Sequence, residues 1–181
     1  MATKLKFHIE TERLLLRDLL PSDAPGMFEL DADPLVHRFL GNKPVSTMQE
    51  SMDMISFIRK QYQELGIGRW AMIEKASGAF MGWTGLKLVT HTINGQTNYY
   101  DLGYRMIPRF WGKGYATESA LASVTYGVEE LKADAIYGMA DVKNTASIHV
   151  LEKAGLKKLG TFLYEGTEHC WMKMCCRAVG G

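Results

Sequence analysis

One stretch constrains this chain more than any other: a strand-like run from Tyr99 to Met106, a glycine-rich turn, and a helical run to about Leu131. The turn reads Arg109-Phe110-Trp111-Gly112-Lys113-Gly114-Tyr115-Ala116-Thr117-Glu118. The helix after it places Ala120, Leu121, Val124, Val128 and Leu131 at spacings that share one side. The first four N–H groups of a helix lack internal partners, and the helix dipole adds positive potential at that end. Gly112 and Gly114 allow positive φ and a close backbone approach. A turn of this kind predicts a site for a phosphate or pyrophosphate, with Lys113 and Arg109 available to add charge. Read without its context, the same G-x-G also serves as a plain strand-to-helix turn. It is not a P-loop, because no G-K-[ST] completes it, and it is not the dinucleotide fingerprint, because Thr117 holds the third glycine position.

The rest of the chain predicts an α/β architecture. Phe7 to Glu10 and Arg13 to Asp18 read as short strands. Pro21-Ser22-Asp23 starts a helix to about Leu30, and Asp33-Pro34 a short one after it. Ser46 or Thr47 caps a longer helix to Leu65, with Met48, Met52, Ile55 and Ile58 at helical spacing. Arg69 to Glu74, Ala79 to Val89 and Tyr99 to Met106 then read as strands, with a hairpin turn at Asn94-Gly95. Ala135 to Ala140 is a strand, Asn144 to Ala154 a helix, and Lys157 to Leu163 and His169 to Cys175 the closing strands. This order predicts one domain over residues 1–181: a mixed, mostly antiparallel sheet flanked by helices.

Net charge narrows the partners. Twenty-one basic and 20 acidic residues leave +1. No Lys/Arg block marks a nucleic-acid footprint, and no apolar run reaches the roughly 20 residues needed to span a bilayer. No nucleic acid or membrane is expected as a partner. Cys170, Cys175 and Cys176 are too few and clustered for a disulfide framework and read as reduced thiols. With no signal-peptide-like N-terminus, the expected compartment is the cytoplasm. The five histidines show no metal spacing, and no metal is expected.

Arg109-x-x-Gly112-x-Gly114, after Leu102-Gly103-Tyr104 and before Ala116-Thr117-Glu118, resembles the acetyl-CoA signature of the GNAT acyltransferase superfamily. The resemblance extends to Asn144-x-x-Ser147, to Glu152-Lys153-Ala154-Gly155-Leu156 and to Thr11-Glu12-Arg13-Leu14-Leu15-Leu16-Arg17. That combination is similar to the branch containing the RimJ/RimL ribosomal-protein N-terminal acetyltransferases. It implies splayed central strands, with the pantetheine arm of acetyl-CoA in the gap. Backbone amides of about Phe110 to Tyr115, with Trp111, Lys113 and Ala116, would hold the pyrophosphate. Backbone groups around Leu102 and Tyr104 would hold the arm and stabilise the oxyanion. Asn144 would bond the arm, and Ser147 would stabilise the departing thiolate. Without the upstream turn, Asn144 reads as a helix cap and Ser147 as a core serine.

The resemblance implies an amine acceptor and a base. A lysine-type amine, with pKa about 10.4, is almost wholly protonated at pH 7, whereas an α-amine near 7.7–8.0 is neutral in roughly one molecule in ten. One positioned carboxylate suffices for the latter. Asp101, on the strand leading to the turn, and Glu165 are the candidates; Glu168 competes, because Glu165-Gly166-Thr167-Glu168 is shorter than the family's hairpin. Each also reads as an exposed solubilising charge. The acceptor is a protein N-terminal α-amine or a small-molecule amine, and the chain works as a monomer or a homodimer. The alternative is a non-catalytic acyl-CoA-binding sensor or scaffold, which keeps the turn and needs no base. Pro21 to Leu65 would shape the acceptor pocket, and Met48, Met52 and Met54 read as core filler or as an adaptable wall of it.

Overall fold

A computed structural model describes residues 6–176. Eight strands form one sheet: β1 (His8–Glu10), β2 (Leu14–Arg17), β3 (Trp70–Glu74), β4 (Phe80–Val89), β5 (Tyr99–Met106), β6 (Ala135–Asp141), β7 (Lys157–Tyr164) and β8 (Thr167–Cys175). Their order is β1-β2-β3-β4-β5-β6-β8-β7. Every neighbouring pair is antiparallel except β5 and β6. Among the described residues there are five α-helices: α1 (Ala24–Ala32), α2 (Pro34–His37), α3 (Met48–Glu64), α4 (Tyr115–Glu129) and α5 (Thr145–Lys153).

The parallel pair is the structural key. β4 and β5 are paired along their whole length, from Gly82–Met106 to Val89–Tyr99. β5 and β6 pair only at Tyr100–Ile136 and Asp101–Tyr137. Beyond those two rungs the strands part, so from Leu102 to Met106 β5 presents peptide groups to a gap rather than to a neighbour. Parallel strands need a crossover, and α4 supplies it. The mixed sheet with splayed central strands is therefore observed.

Local signals set the helix ends. Thr47 caps α3 in a capping box: its hydroxyl accepts from Glu50 N–H, and the Glu50 carboxylate accepts from Thr47 N–H at 2.8 Å. The face that α3 buries is Ser51, Ile55, Ile58 and Tyr62. Met48, Met52 and Met54 are instead exposed (38%, 44% and 45%), which corrects their reading as core filler. The deep methionines are Met27, Met72, Met81 and Met172.

α4 also turns a different face inward than its large apolar residues suggest. Tyr115, Ser119, Ala120, Ser123 and Gly127 are buried, while Val124 and Val128 are half-buried and Leu121 is exposed. The helix lies too close to the sheet for larger side chains. A Cβ on Gly127 would come within 2.7 Å of Leu86 and 2.8 Å of Ile136. The two serines are satisfied: Ser119 Oγ is 3.0 Å from Thr84 Oγ1, and Ser123 Oγ donates to the Ser119 carbonyl at 2.7 Å.

Among the described residues, no helix is long and apolar enough to cross a membrane, and no cluster of His, Cys, Asp and Glu forms a metal site. Cys170, Cys175 and Cys176 are free thiols.

Candidate active site

The site begins where β5 ends. A 3-10 turn, Pro108–Phe110, leads to Trp111, whose indole N–H donates to the Met106 carbonyl at 2.6 Å. Gly112 (φ +73°) and Gly114 (φ +81°) then take left-handed conformations, and α4 starts at Tyr115. Such φ values suit glycine and strain other residues. The N–H groups of Gly112, Lys113 and Gly114 have no hydrogen-bond partner among the described residues. The first bond of the helix is Glu118 N–H to the Gly114 carbonyl, at 3.0 Å. Trp111 to Gly114 are exposed, so these amides face solvent at the positive end of a 15-residue helix.

The turn is braced from the N-terminal strands. Glu118 accepts from the Thr11 hydroxyl at 2.6 Å, from Arg13 N–H at 2.8 Å and from Arg13 Nε at 2.7 Å. Arg13 also donates to the Lys113 carbonyl at 2.9 Å and lies 4.4 Å over the Tyr115 ring, whose hydroxyl donates to Glu74. Burial pushes the Glu118 pKa up, but the bonds from Thr11 and Arg13 outweigh it and hold the carboxyl below its usual value. Of the two cations expected here, Lys113 is exposed in the turn, whereas Arg109 is drawn into an ion pair with Glu29 of α1. Arg13 takes the inner place. Its position in the opening motif was the available signal, but nothing local in the sequence says that it reaches residue 113.

At the gap, Tyr104 and Ser147 meet. The Tyr104 hydroxyl donates to the Ser147 carbonyl at 2.7 Å and lies 3.0 Å from Ser147 Oγ. Tyr104 has one hydroxyl proton, so the Ser147 proton is free to turn to the Tyr104 oxygen or elsewhere. Burial raises the Tyr104 pKa and keeps it protonated. Asn144 caps α5 by accepting from Ser147 N–H at 3.2 Å, which leaves its side-chain NH2 available. Leu102 is buried on the same face of β5 as Tyr104.

The two candidate carboxylates stand apart. Asp101 lies at the last β5–β6 rung, 5% exposed, and its Oδ2 is 2.5 Å from Arg69 Nη2. Arg69 is equally buried and bonds the carbonyls of Gly85 and Asp101 as well. It packs closely against Gly103, where a Cβ would sit 2.5 Å from Nη2. Desolvation lowers the Arg69 pKa, and Asp101 opposes that fall. Lys87, directly across from Asp101, is half-buried and also lowered, by burial first and by Arg69 second. Glu165 instead occupies the exposed tip of the β7–β8 hairpin. There Glu165 (φ +49°) and Gly166 (φ +80°) form a two-residue turn of type I′ character. Glu168 is exposed on β8. Arg69 was not singled out from sequence; a lone arginine before an apolar strand carries no sign of a partner 32 residues away.

A turn of unpaired, solvent-facing amides, a strand edge open to a gap and a hydroxyl pair lie together along β5 and the turn that follows it. The family model described as acetyltransferase (GNAT) domain matches residues 13–157, and the chain belongs to that family of N-acetyltransferases. An N-acetyltransferase of Bacillus subtilis, YoaA, is 28% identical over 84% of this chain and 84% of its own. The FsC-acetyl coenzyme A-N(2)-transacetylase of Aspergillus fumigatus is 31% identical over 90% of this chain and 70% of its own. Among solved structures, the ribosomal L7/L12 α-N-protein acetyltransferase RimL superposes with a TM-score of 0.77, covering 97% of each chain at 15% identity, a likeness of fold.

Proposed function

We propose that this protein transfers the acetyl group of acetyl-CoA to a primary amine by direct attack in a ternary complex. The observation that carries the reading is the solvent-facing turn at Gly112–Gly114, with unpaired amides, set at the open end of the β5–β6 gap. The amides from about Phe110 to Ala116 would hold the pyrophosphate, with Lys113 adding charge. Arg109 contributes after release from Glu29. The pantetheine arm would bond the free edge of β5 around Leu102 to Tyr104, and the Asn144 NH2. The oxyanion would take an N–H of that same edge. Ser147, oriented by Tyr104, would donate a hydrogen bond to the thiolate as it leaves.

The carboxylates receive different roles. Asp101 positions: it holds Arg69 beneath Gly103 and so fixes the part of β5 that lines the gap. Glu165, exposed at the hairpin tip, would attract ammonium acceptors to the mouth. An α-amine fits the site's demands best because a larger share of it is already neutral at pH 7. That supports a protein N-terminus or an amino-acid-like small molecule as acceptor.

The test is a screen of peptides, amino acids and polyamines, read as release of free CoA thiol. Turnover of at least one amine supports the reading. Micromolar CoA binding with no turnover of any amine would instead make the protein a CoA-binding sensor.

A further inference from the structure

One face of β4 packs on α4: Thr84 meets Ser119 there, and Leu86 lies against Gly127. Alternation turns Trp83, Gly85 and Lys87 to the other face. Their partners across the strand pair, Arg105, Gly103 and Asp101, share that face. Asp101 belongs to the last β5–β6 rung, and Gly103 lies two residues, about 7 Å, further along the open edge. Trp83, Lys87, Gly103 and Arg105 are each half-buried, so this strip keeps contact with solvent at the level where the gap opens.

The charges along the strip do not balance. Arg69 is paired with Asp101, and Arg105 with Asp31 at 2.6 Å. The Arg69 and Arg105 guanidiniums lie 5.4 and 5.1 Å over the Trp83 ring, which fixes both. Lys87 makes no hydrogen bond and no ion pair among the described residues. Burial lowers its pKa first, Arg69 and Arg105 add to the fall, and Asp101 opposes it. An ammonium held beside two guanidiniums is one that an arriving anion would relieve. The neighbouring groups are donors as well. Tyr99, two residues before Asp101 on the same face, is 6% exposed, and its hydroxyl has no partner. Burial, then Asp101 and Tyr164, raise its pKa, so the hydroxyl keeps its proton. Tyr164 is half-buried, and its hydroxyl makes no hydrogen bond among the described residues. An uncompensated cation with spare hydroxyl donors around it suits a carboxylate and repels a polyamine.

We propose that Lys87 binds a carboxylate of the acceptor, which makes the substrate a small amine carrying an acid group; the inference rests on the N-acetyltransferase reading above. The amine would meet the thioester at the level of Gly103, and the carboxylate would lie one rung back, at the Lys87–Asp101 pair. That separation of about 7 Å is the length of an extended dipeptide. Lys87 moves no proton in this scheme. It sets which amines are held at the gap, with the Tyr99 and Tyr164 hydroxyls as further donors.

The experiment uses the full chain with acetyl-CoA and three acceptors that share an alanine amine: L-alanyl-L-alanine, its C-terminal amide, and an amidated pentapeptide with aspartate second. Wild type should favour the free acid over the amide by about tenfold or more in kcat/KM. In Lys87→Met the acid-to-amide ratio should fall to about one, the loss lying in KM for the acid, whereas Lys87→Arg should keep a preference for the acid. Equal rates on acid and amide in wild type, or the same ratio in Lys87→Met, overturn the proposal. A pentapeptide preferred to the dipeptide acid overturns the assignment to a small molecule and moves the carboxylate to a polypeptide. Calorimetry of the dipeptide acid and amide on the CoA-saturated chain needs no turnover. Acid bound about tenfold tighter than amide in wild type, and equally in Lys87→Met, supports the carboxylate site even where no probe is acetylated, in which case the transferase reading alone fails. No difference in wild type overturns the site itself.

Discussion

Replacing Asp101 by Asn separates a structural carboxylate from a catalytic one. Asp101 and Arg69 both have side chains 8% exposed, so solvent does little to screen either charge. Asn at position 101 leaves the guanidinium buried with two carbonyls and no counter-charge. Breaking a buried pair from one side costs about 3–5 kcal/mol. At roughly 2–4 °C per kcal/mol for a chain of this size, Tm should fall by about 6–20 °C. Neutralising both partners, as Arg69→Met with Asp101→Leu, removes the stranded charge and should recover much of that loss. Urea unfolding of the wild type, the two single variants and the double variant measures the coupling. Initial rates at 25 °C, below every transition, measure the activity, which should stay within about tenfold of wild type for Asp101→Asn. Unchanged stability with a rate loss of 100-fold or more would refute this reasoning and make Asp101 the base.

Gly112→Ala and Gly114→Ala should each destabilise by about 1 kcal/mol, from positive φ alone, since no backbone atom crowds either Cβ. Both should weaken CoA binding more than tenfold by calorimetry while leaving pantetheine, which lacks the diphosphate, unaffected. Ser147→Ala should lower kcat about tenfold with little change in CoA affinity, the signature of a bond made to the leaving thiolate, as stopped-flow thiol release would show. Glu118 has its pKa held below 4.5, so its stabilising contribution is full above that value and lost as pH falls through the lower folded value. Glu118→Gln should be less stable than wild type at pH 7, and acid titration followed by circular dichroism should show the difference vanish at low pH.

What could be read from sequence was local. The turn at Gly112–Gly114, the Asn144 cap, the Thr47 capping box and the Asn94-Gly95 hairpin each follow from a few adjacent residues and the φ or hydrogen bond they supply. What escaped was long-range. The gap was expected only through the family resemblance, because how far β5 and β6 stay paired is stated by no residue in either strand. The inward face of α4 escaped because its closeness to the sheet selects Ser119, Ser123 and Gly127 over larger apolar neighbours. Arg109 was expected at the phosphate site from motif spacing, but an acidic residue on α1 reaches it first, and Arg13 arrives from 100 residues upstream to hold Lys113.

The central claim is that helix-start amides beside a strand gap grip the diphosphate of CoA, and amide shift mapping tests it most directly. On titrating the 15N-labelled full chain with CoA, the largest shifts should fall at Gly112 to Thr117, followed by Leu102 to Met106 along the free edge of β5. Shifts centred elsewhere, or none at saturating CoA, would contradict the account.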